Sequence, residues 1–521
     1  MTKKKTRTQN SAMNFITGIG GQLLNIILQF IVRTVFIHTL GKEYLGVNGV
    51  FSNILSMLSL AEFGFGSAIL FKLYSPLASS DHYRISILMG FYKTVYRIIG
   101  LVVAIIGCIL IPFLPYIAKD YESLQQIGIN GTIVFLLYLF QSVSSYLFFA
   151  YKSAIIKADQ REYIINVVKF VGSIFSSIIQ ILVLYTTKNF TIYIVVLIAR
   201  VIIENLIVAR IADKQYPYIL EKSEGHLERK EIKETIKDCS ALFLYKLNDV
   251  VLKATDNLVL SVYLGFGMVG LYSNYYIFYT TITAIFTRTF GSIVHSLGNL
   301  HAVKNAKHEY LIFKEINLIT ALIGGTAGVG IAVVADEMVG TWIGTEWVIM
   351  QPFSILMGVE VYTLALRQEL SRYRHSMGLF QQAKFRPLIG MIINLVASVL
   401  LVKCWGICGV LAGTIISDWL TVVWYDPWIV HKYGLRNEEE IPKYYLRFLK
   451  NTLIVISVGW IDSVICKSFF VGHGWFSVAV HIMICALTVP IVFLLLNCKT
   501  EEVKGLLRHT VLLRRKRSNY G

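Results

Sequence analysis

Lys246, Asp249, Lys253 and Asp256 stand at spacings of 3, 4 and 3 in the otherwise apolar run ALFLYKLNDVVLKATDNLVLSVYLG. At about 100° per residue they fall within an arc of about 80° over about 15 Å of helix axis, a single polar stripe with Asn257 beside it. Such a stripe can neutralise itself as a ladder or line a polar cavity. In a bilayer-spanning helix, cavity lining is favoured, because lipid would otherwise meet four charges. Arg33 lies in LQFIVRTVFI, where a guanidinium fork suits a phosphate or carboxylate ligand, or a neighbouring acid such as Asp256 or Glu62. Glu62, in LSLAEFGFGSAI, is a candidate coupling or pairing group, with Gly64 and Gly66 permitting close backbone approach. Glu360 and Arg367, seven apart, share a helix face and are candidates for coupling or gating. Arg200 and Glu204, at i and i+4, should pair. Tyr272, Tyr276 and Tyr279 share a face that can stack on sugar rings, but tyrosines near the start of a span more often form an interfacial belt, which is the preferred reading.

The elements that must position these residues follow from composition. The 521 residues are 55% hydrophobic and 16% charged, with a mean hydropathy of +0.60 and a net charge of +17. A soluble protein carries about a quarter charged residues, so a disordered chain, a secreted disulfide scaffold and a soluble multidomain enzyme are set aside. Runs long enough for a hydrocarbon core of about 30 Å recur fourteen times, at 14–40, 46–71, 92–116, 128–151, 164–186, 190–211, 241–264, 270–294, 312–335, 352–373, 386–403, 406–430, 446–465 and 475–497. The expected fold class is an all-α polytopic membrane protein with about 14 transmembrane helices. The first run is too long for a signal-peptide core and lacks a cleavage site, so it reads as a span. The cysteines form no zinc spacing and read as buried thiols.

Basic residues orient the spans. Of the 49 Lys and Arg, 40 lie in the two termini and the connections on the same side, counted with their flanking helix ends, five on the opposite side, and four (Arg33, Arg200, Lys246, Lys253) within the helices away from those ends. The positive-inside rule then puts both termini in the cytoplasm of a multi-pass cell-membrane protein. The basic excess serves topology and adherence to anionic membrane lipid, and no nucleic-acid partner is expected. The opposite-side connections are too short for a catalytic domain. The largest loop, 212–240, contains HLERKEIKETIKD, whose mixed charge reads as a solvated linking helix.

The chain also repeats. Leu40-Gly41 and Gly46 match Leu264-Gly265 and Gly270; Gly66-Ser67 matches Gly291-Ser292; Tyr151-Lys152 and Gln160 match Tyr373-Arg374 and Gln382. The offsets are 224, 225 and 222. Each repeat holds six spans, so both enter the membrane in the same sense, related by a pseudo-two-fold axis along the membrane normal. The expected organisation is an N-lobe at 1–211, a cytoplasmic linker at 212–240, a C-lobe at 241–430, two further spans at 431–497 and a basic tail at 498–521. Two such bundles with a cleft between them are transporter architecture.

No phosphate-binding loop, metal constellation or nucleophile elbow appears, so neither an enzyme nor a cofactor or metal is expected. The stretches VRTVFIHTLGKEYLGVNGVFSNILSMLSLAEFGFGSAI and DNLVLSVYLGFGMVGLYSN, with the repeated Leu-Gly turn, resemble the Wzx-type flippases of bacterial capsule and O-antigen assembly. These form the polysaccharide-transport branch of the multidrug/oligosaccharidyl-lipid/polysaccharide exporter superfamily. The resemblance implies two six-helix lobes, alternating access, and a polyprenyl-diphosphate-linked oligosaccharide as cargo in a cationic central cavity. By the same resemblance Arg33, Lys246, Asp249, Lys253 and Asp256 line that cavity and Glu62 stands at an acidic position before glycine; Glu62, Glu360 and Arg367 are the candidates to couple or gate. H+ or Na+ is the implied counter-ion, and glycosyltransferases and a polymerase are the implied partners. The alternatives are a lipid II-type precursor flippase or a cation-coupled multidrug exporter of the same superfamily, and, in another class, a membrane polysaccharide polymerase or glycosyltransferase. The orientation is checked in a cysteine-free background. Gln126→Cys should react with an impermeant maleimide on intact cells and Ser223→Cys only after permeabilisation; the reverse pattern overturns it.

Overall fold

A computed structural model describes residues 7–59, 65–220, 227–302, 306–349, 351–379, 381–469 and 474–506. Among the described residues the chain is helical, without a strand. The helices are α1 (Arg7–Leu40), α2 (Lys42–Leu58), α3 (Phe65–Ala78), α4 (His82–Leu110), α5 (Gly131–Leu147), α6 (Ser153–Ala158), α7 (Glu162–Thr187), α8 (Phe190–Gln215) and α9 (Arg229–Leu264). They continue with α10 (Phe266–Ala302), α11 (Ala306–Ile343), α12 (Phe353–Ser376), α13 (Arg386–Trp405), α14 (Ile407–Asp418), α15 (Tyr425–Ile429), α16 (Ile441–Phe469) and α17 (Trp475–Asn497). Among the described residues the expected spans coincide with helices, with 60–64 of the second lying outside them. Among the described residues nine helices are long and apolar enough to cross a membrane, or ten if the bent pair Gly131–Leu147 and Ala150–Ala158 counts as one. The expected second span covers α2, of 17 residues, and the start of α3, with 60–64 outside the described residues. Meanwhile α9 and α12 carry the acids and bases that single them out chemically.

The chain separates into two compact units, Met1–Gly270 and Leu271–Gly521. The division falls after the expected 212–240 linker, so α9 and the first turn of α10 are described with the N-terminal unit. In that unit α1 packs on α7, α4 on α5, α5 on α8, and α2 on α9. Phe51 stands at the centre, edge-on to Phe135 and Phe266 with centroids 5.4 and 6.2 Å away. The segment HLERKEIKETIKD enters α9 at Arg229, which continues without a break into the seventh span. It is held to the unit by a Glu231–Arg84 ion pair and by Lys72 Nζ donating to the Glu231 carbonyl at 3.3 Å. The other end of α9 is fixed by Asp120, whose carboxylate accepts from the Phe266 amide at 2.9 Å, and by Ser261 Oγ donating to the Ile117 carbonyl at 2.6 Å.

The repeated Leu-Gly turns have a shared geometry. Gly41 and Gly265 adopt φ +98° and +87°, conformations that L side chains rarely take, and each admits the next helix. A Cβ on Gly46 would lie 1.9 Å from the Phe266 carbonyl oxygen, and one on Gly270 would lie 2.1 Å from that of Lys42. The two contacts exchange repeat partners, since Phe266 and Gly270 each stand 224 residues beyond Lys42 and Gly46. The third repeat match also has a counterpart in three dimensions. Buried Lys152 pairs with Asp213 at 2.5 and 2.7 Å, while buried Arg374 pairs with Asp426 at 3.7 Å.

In the C-terminal unit α11 packs on α12 and α17, and α13 pairs with α14. Phe313 is buried against Tyr373, with centroids 4.8 Å apart. From Ile407 to Leu435 the helix continues through two widened stretches, Trp419–Val423 and Val430–Leu435, on either side of α15. Overpacking a close backbone contact costs roughly 1–3 kcal/mol. Gly46→Ala and Gly270→Ala should therefore each lower Tm in detergent by several degrees. Gly90→Ala, which meets nothing within 4 Å, is the control and should leave Tm unchanged.

Candidate functional site

In the N-terminal unit Arg33 lies on α1 within electrostatic reach of Tyr193 on α8. Its position is framed by aromatic packing. Phe36, one turn further along α1, sits 5.1 Å from the Tyr193 ring and 5.9 Å from Phe190. Asn48 on α2 accepts a hydrogen bond from Tyr138 of α5. The sequence places a polar stripe on α9. Asp256 belongs to a buried segment with Thr255 and Asn257. The side chains of Lys246, Asp249 and Lys253 lie outside the described residues, as does Glu62 altogether. Arg200 Nε meets Glu204 Oε1 at 2.7 Å, the local pair that i, i+4 spacing predicts.

The C-terminal unit brings Glu360 and Arg367 together through a residue read differently from sequence. Tyr279 on α10 donates its hydroxyl to Glu360 Oε1 at 3.1 Å and accepts from Arg367 Nη2 at 3.4 Å. The phenol thus bridges two turns of α12. Arg367 Nη1 also meets Asp418 Oδ2 on α14 at 2.8 Å. Trp419 Nε1, at the start of the first widened stretch, donates to Thr363 Oγ1 of α12 at 3.1 Å. Widened helical turns often occur at functional sites, because they displace a side chain from regular register.

The tyrosines form a row. Tyr272 stacks on Tyr276 at 5.6 Å and 26°, and Tyr276 stacks on Tyr279 at 5.4 Å and 22°. Tyr272 and Tyr279 are both buried, so the expectation of an interfacial belt is corrected. Periodicity reports which residues share a face, but not what covers that face.

Further along the same helices lies a second ionic cluster. Asp426, fully buried on α15, receives Arg386 at one carboxylate oxygen and Arg374 at the other. Neither Asp418 nor Asp426 is among the residues singled out from sequence. The signal was present, since both are acids within an apolar run, the property that identified Glu360. The site can hold a buried negative charge against guanidinium and present stacked aromatic faces. Replacing one member of such a pair strands the other charge and typically costs about 3–5 kcal/mol. Asp418→Ala should therefore destabilise the protein by about that much in denaturant unfolding. The Arg367→Ala/Asp418→Ala double variant should lose less than the sum of its single changes; strict additivity would show the pair to be uncoupled.

A protein-family profile described as "Polysaccharide biosynthesis protein" matches residues 40–352. No curated protein sequence matches the chain. Among solved structures, the fold is similar to that of the lipid II flippase MurJ in an inward closed conformation. That match has a TM-score of 0.63 and 16% identity, over 93% of this chain and 99% of that one. It is also similar to an inward-facing multidrug resistance MATE family transporter of the MOP superfamily, with a TM-score of 0.58 and 13% identity. This second match covers 80% of this chain and 96% of that one.

Proposed function

The chain belongs to the polysaccharide biosynthesis protein family, and from that membership we propose that it is a flippase. Its cargo in this reading is a polyprenyl-diphosphate-linked oligosaccharide repeat unit, carried across the cytoplasmic membrane by alternating access for surface-polysaccharide assembly. The observation that carries the reading is the confinement of ionisable groups to a few positions within apolar helices, in a family assigned to polysaccharide assembly. A diphosphate-linked sugar has two parts that hydrocarbon rejects, an anionic linkage and a hydroxyl-rich headgroup. Cations on α1 and α9 suit the first: Arg33 as a planar fork, with Lys246 and Lys253 as point charges. Asp249 and Asp256 temper the field so that the diphosphate is bound without being trapped. The Tyr272–Tyr276–Tyr279 row supports the second part through its partly exposed member Tyr276, whose ring edge can meet a sugar while Tyr279 keeps its hydroxyl in the Glu360–Arg367 network. The lipid tail needs no protein chemistry and stays in the bilayer.

In this mechanism Arg367 exchanges contacts as the site fills, leaving Asp418 or Tyr279 for the opposite state. Glu62 and Glu360 are the acids proposed for coupling to H+ or Na+. A charge-assisted contact contributes roughly 1.5–3 kcal/mol, which corresponds to about tenfold or more in binding. Arg33→Ala and Lys253→Ala should therefore each lower surface-polysaccharide export by about tenfold in cells with normal protein levels. Unchanged export in both would remove these residues from the mechanism. A new glycosidic bond formed by purified protein on lipid-linked oligosaccharide would replace transport with catalysis.

A further inference from the structure

A separate group of ionisable side chains lies on α11, α16 and α17, away from the α10–α12–α14 network. These three helices pack on one another, and each belongs to a segment long and apolar enough to cross a membrane. Glu337 on α11 is in direct hydrogen-bond contact, through Oε2, with His481 Nδ1 on α17. Asp462 on α16 is 0% exposed. Its Oδ2 accepts from Thr488 Oγ1 at 2.6 Å, while its Oδ1 is buried with no hydrogen-bond partner. Glu337 Oε1 is buried in the same condition. The thiols of Cys485 on α17 and Cys466 on α16 neighbour the Asp462 carboxyl, and Cys466 is also within electrostatic reach of Glu337. The thiols thus join the acid and the His–Glu pair into one cluster.

The depth of the cluster is consistent across the three helices. Glu337 lies six residues from the end of α11, His481 six from the start of α17, and Asp462 seven from the end of α16. At 1.5 Å per residue these are about 9–11 Å inside the helix ends. The titratable groups that face one another are Glu337 from α11, Asp462 and Cys466 from α16, and His481 and Cys485 from α17. Among the described residues no lysine or arginine forms a salt bridge with Glu337 or Asp462. The donors to Asp462 are neutral, the Thr488 hydroxyl and the Cys485 thiol, and a carboxyl among apolar helices must be met by a cation, a donor or a proton. His481 is the member whose ring can carry a compensating positive charge.

We propose that Asp462, with the His481–Glu337 pair, forms a proton-binding site. One proton adds to the Asp462 carboxylate to give the neutral acid and leaves it again, while the imidazole and the Glu337 carboxylate share a second. Only O–H and N–H bonds are made or broken, and no oxidant or further reactant is needed. The site differs from Glu62, Glu360 and the α9 aspartates put forward above for coupling. It rests on the transport reading only for the use of the proton, which would be the counter-ion of the cargo.

The test uses purified full-length protein in phosphatidylcholine vesicles, with infrared spectra recorded between about pH 5 and about pH 10. The native chain should show a buried protonated-carboxyl band that Asp462→Asn removes, since asparagine keeps an acceptor for Thr488 but cannot take the proton. Cys485→Ala, which removes a neighbouring thiol and no charge, should keep the band. His481→Gln or Glu337→Gln should shift its titration midpoint by about one pH unit or more, tenfold in proton concentration. A carboxyl spectrum unchanged by Asp462→Asn overturns the site. In cells with normal protein levels, Asp462→Asn should reduce polysaccharide export severalfold; loss of the band with full export overturns the coupling role. A native chain that shows the band but exports nothing supports the proton site while counting against the transport reading.

Discussion

A charge inside hydrocarbon must be met by an opposite charge, a donor or a proton, because no solvent is present to satisfy it. In both units that demand selects which helices pack together. Lys152 sits at the end of a broken span and is only 5% exposed, so Asp213 from the end of α8 must reach it. Arg374 occupies the matching place in the second repeat and meets Asp426. The arginine shares that acid with Arg386, so the later repeat has three members where the earlier has two. Apolar packing alone would leave helices free to rotate or slide, since hydrocarbon is as good a neighbour as leucine. Ion pairs and hydroxyl bridges give them a register.

The same demand explains why α12 is chemically rich. Its acids and arginines are partnered in sequence along the helix, from Glu360 through Arg367 to Arg374, by α10, α14 and α15 in turn. Asp418 and Asp426 flank the first widened stretch, where regular helical register is interrupted. An extra backbone group per turn alters the angle between residues eight apart, so the two acids can serve arginines a full two turns apart on α12. Seen this way, the widened turns and the ion pairs are one construction.

Much of this was legible in the sequence wherever the signal is local. Among the described residues the apolar runs coincide with helices, and Arg200–Glu204 forms because its partners lie one turn apart. The Leu-Gly turns and the Lys152/Arg374 match marked the repeat, and the matched residues make analogous contacts. Partner choice was not legible. Arg367 could have paired with any intramembrane acid; its selection of Asp418 depends on which helix lies beside α12, a long-range fact. The tyrosine row was misread for the same reason, since a shared face does not reveal its cover. The acids on α11, α14, α15 and α16 carried the signal of charge within apolar sequence, but a lone acid defines no helix face, whereas the spacings of 3, 4 and 3 on α9 do.

The reciprocal glycine contact has a consequence for how such a chain can be divided. A gene cut in the charged segment before Arg229 would seem to separate the two repeats cleanly. The first fragment would nevertheless lack α9 and the Phe266–Gly270 turn, leaving the backbone at Gly46 without the carbonyl that fits it and Asp120 without the amide it caps. The duplicated halves are therefore not modular in the way that their sequence suggests. Two pieces made from such a cut would have to be produced together, each completing a surface of the other, and neither could be exchanged alone between related chains without carrying its matching turn.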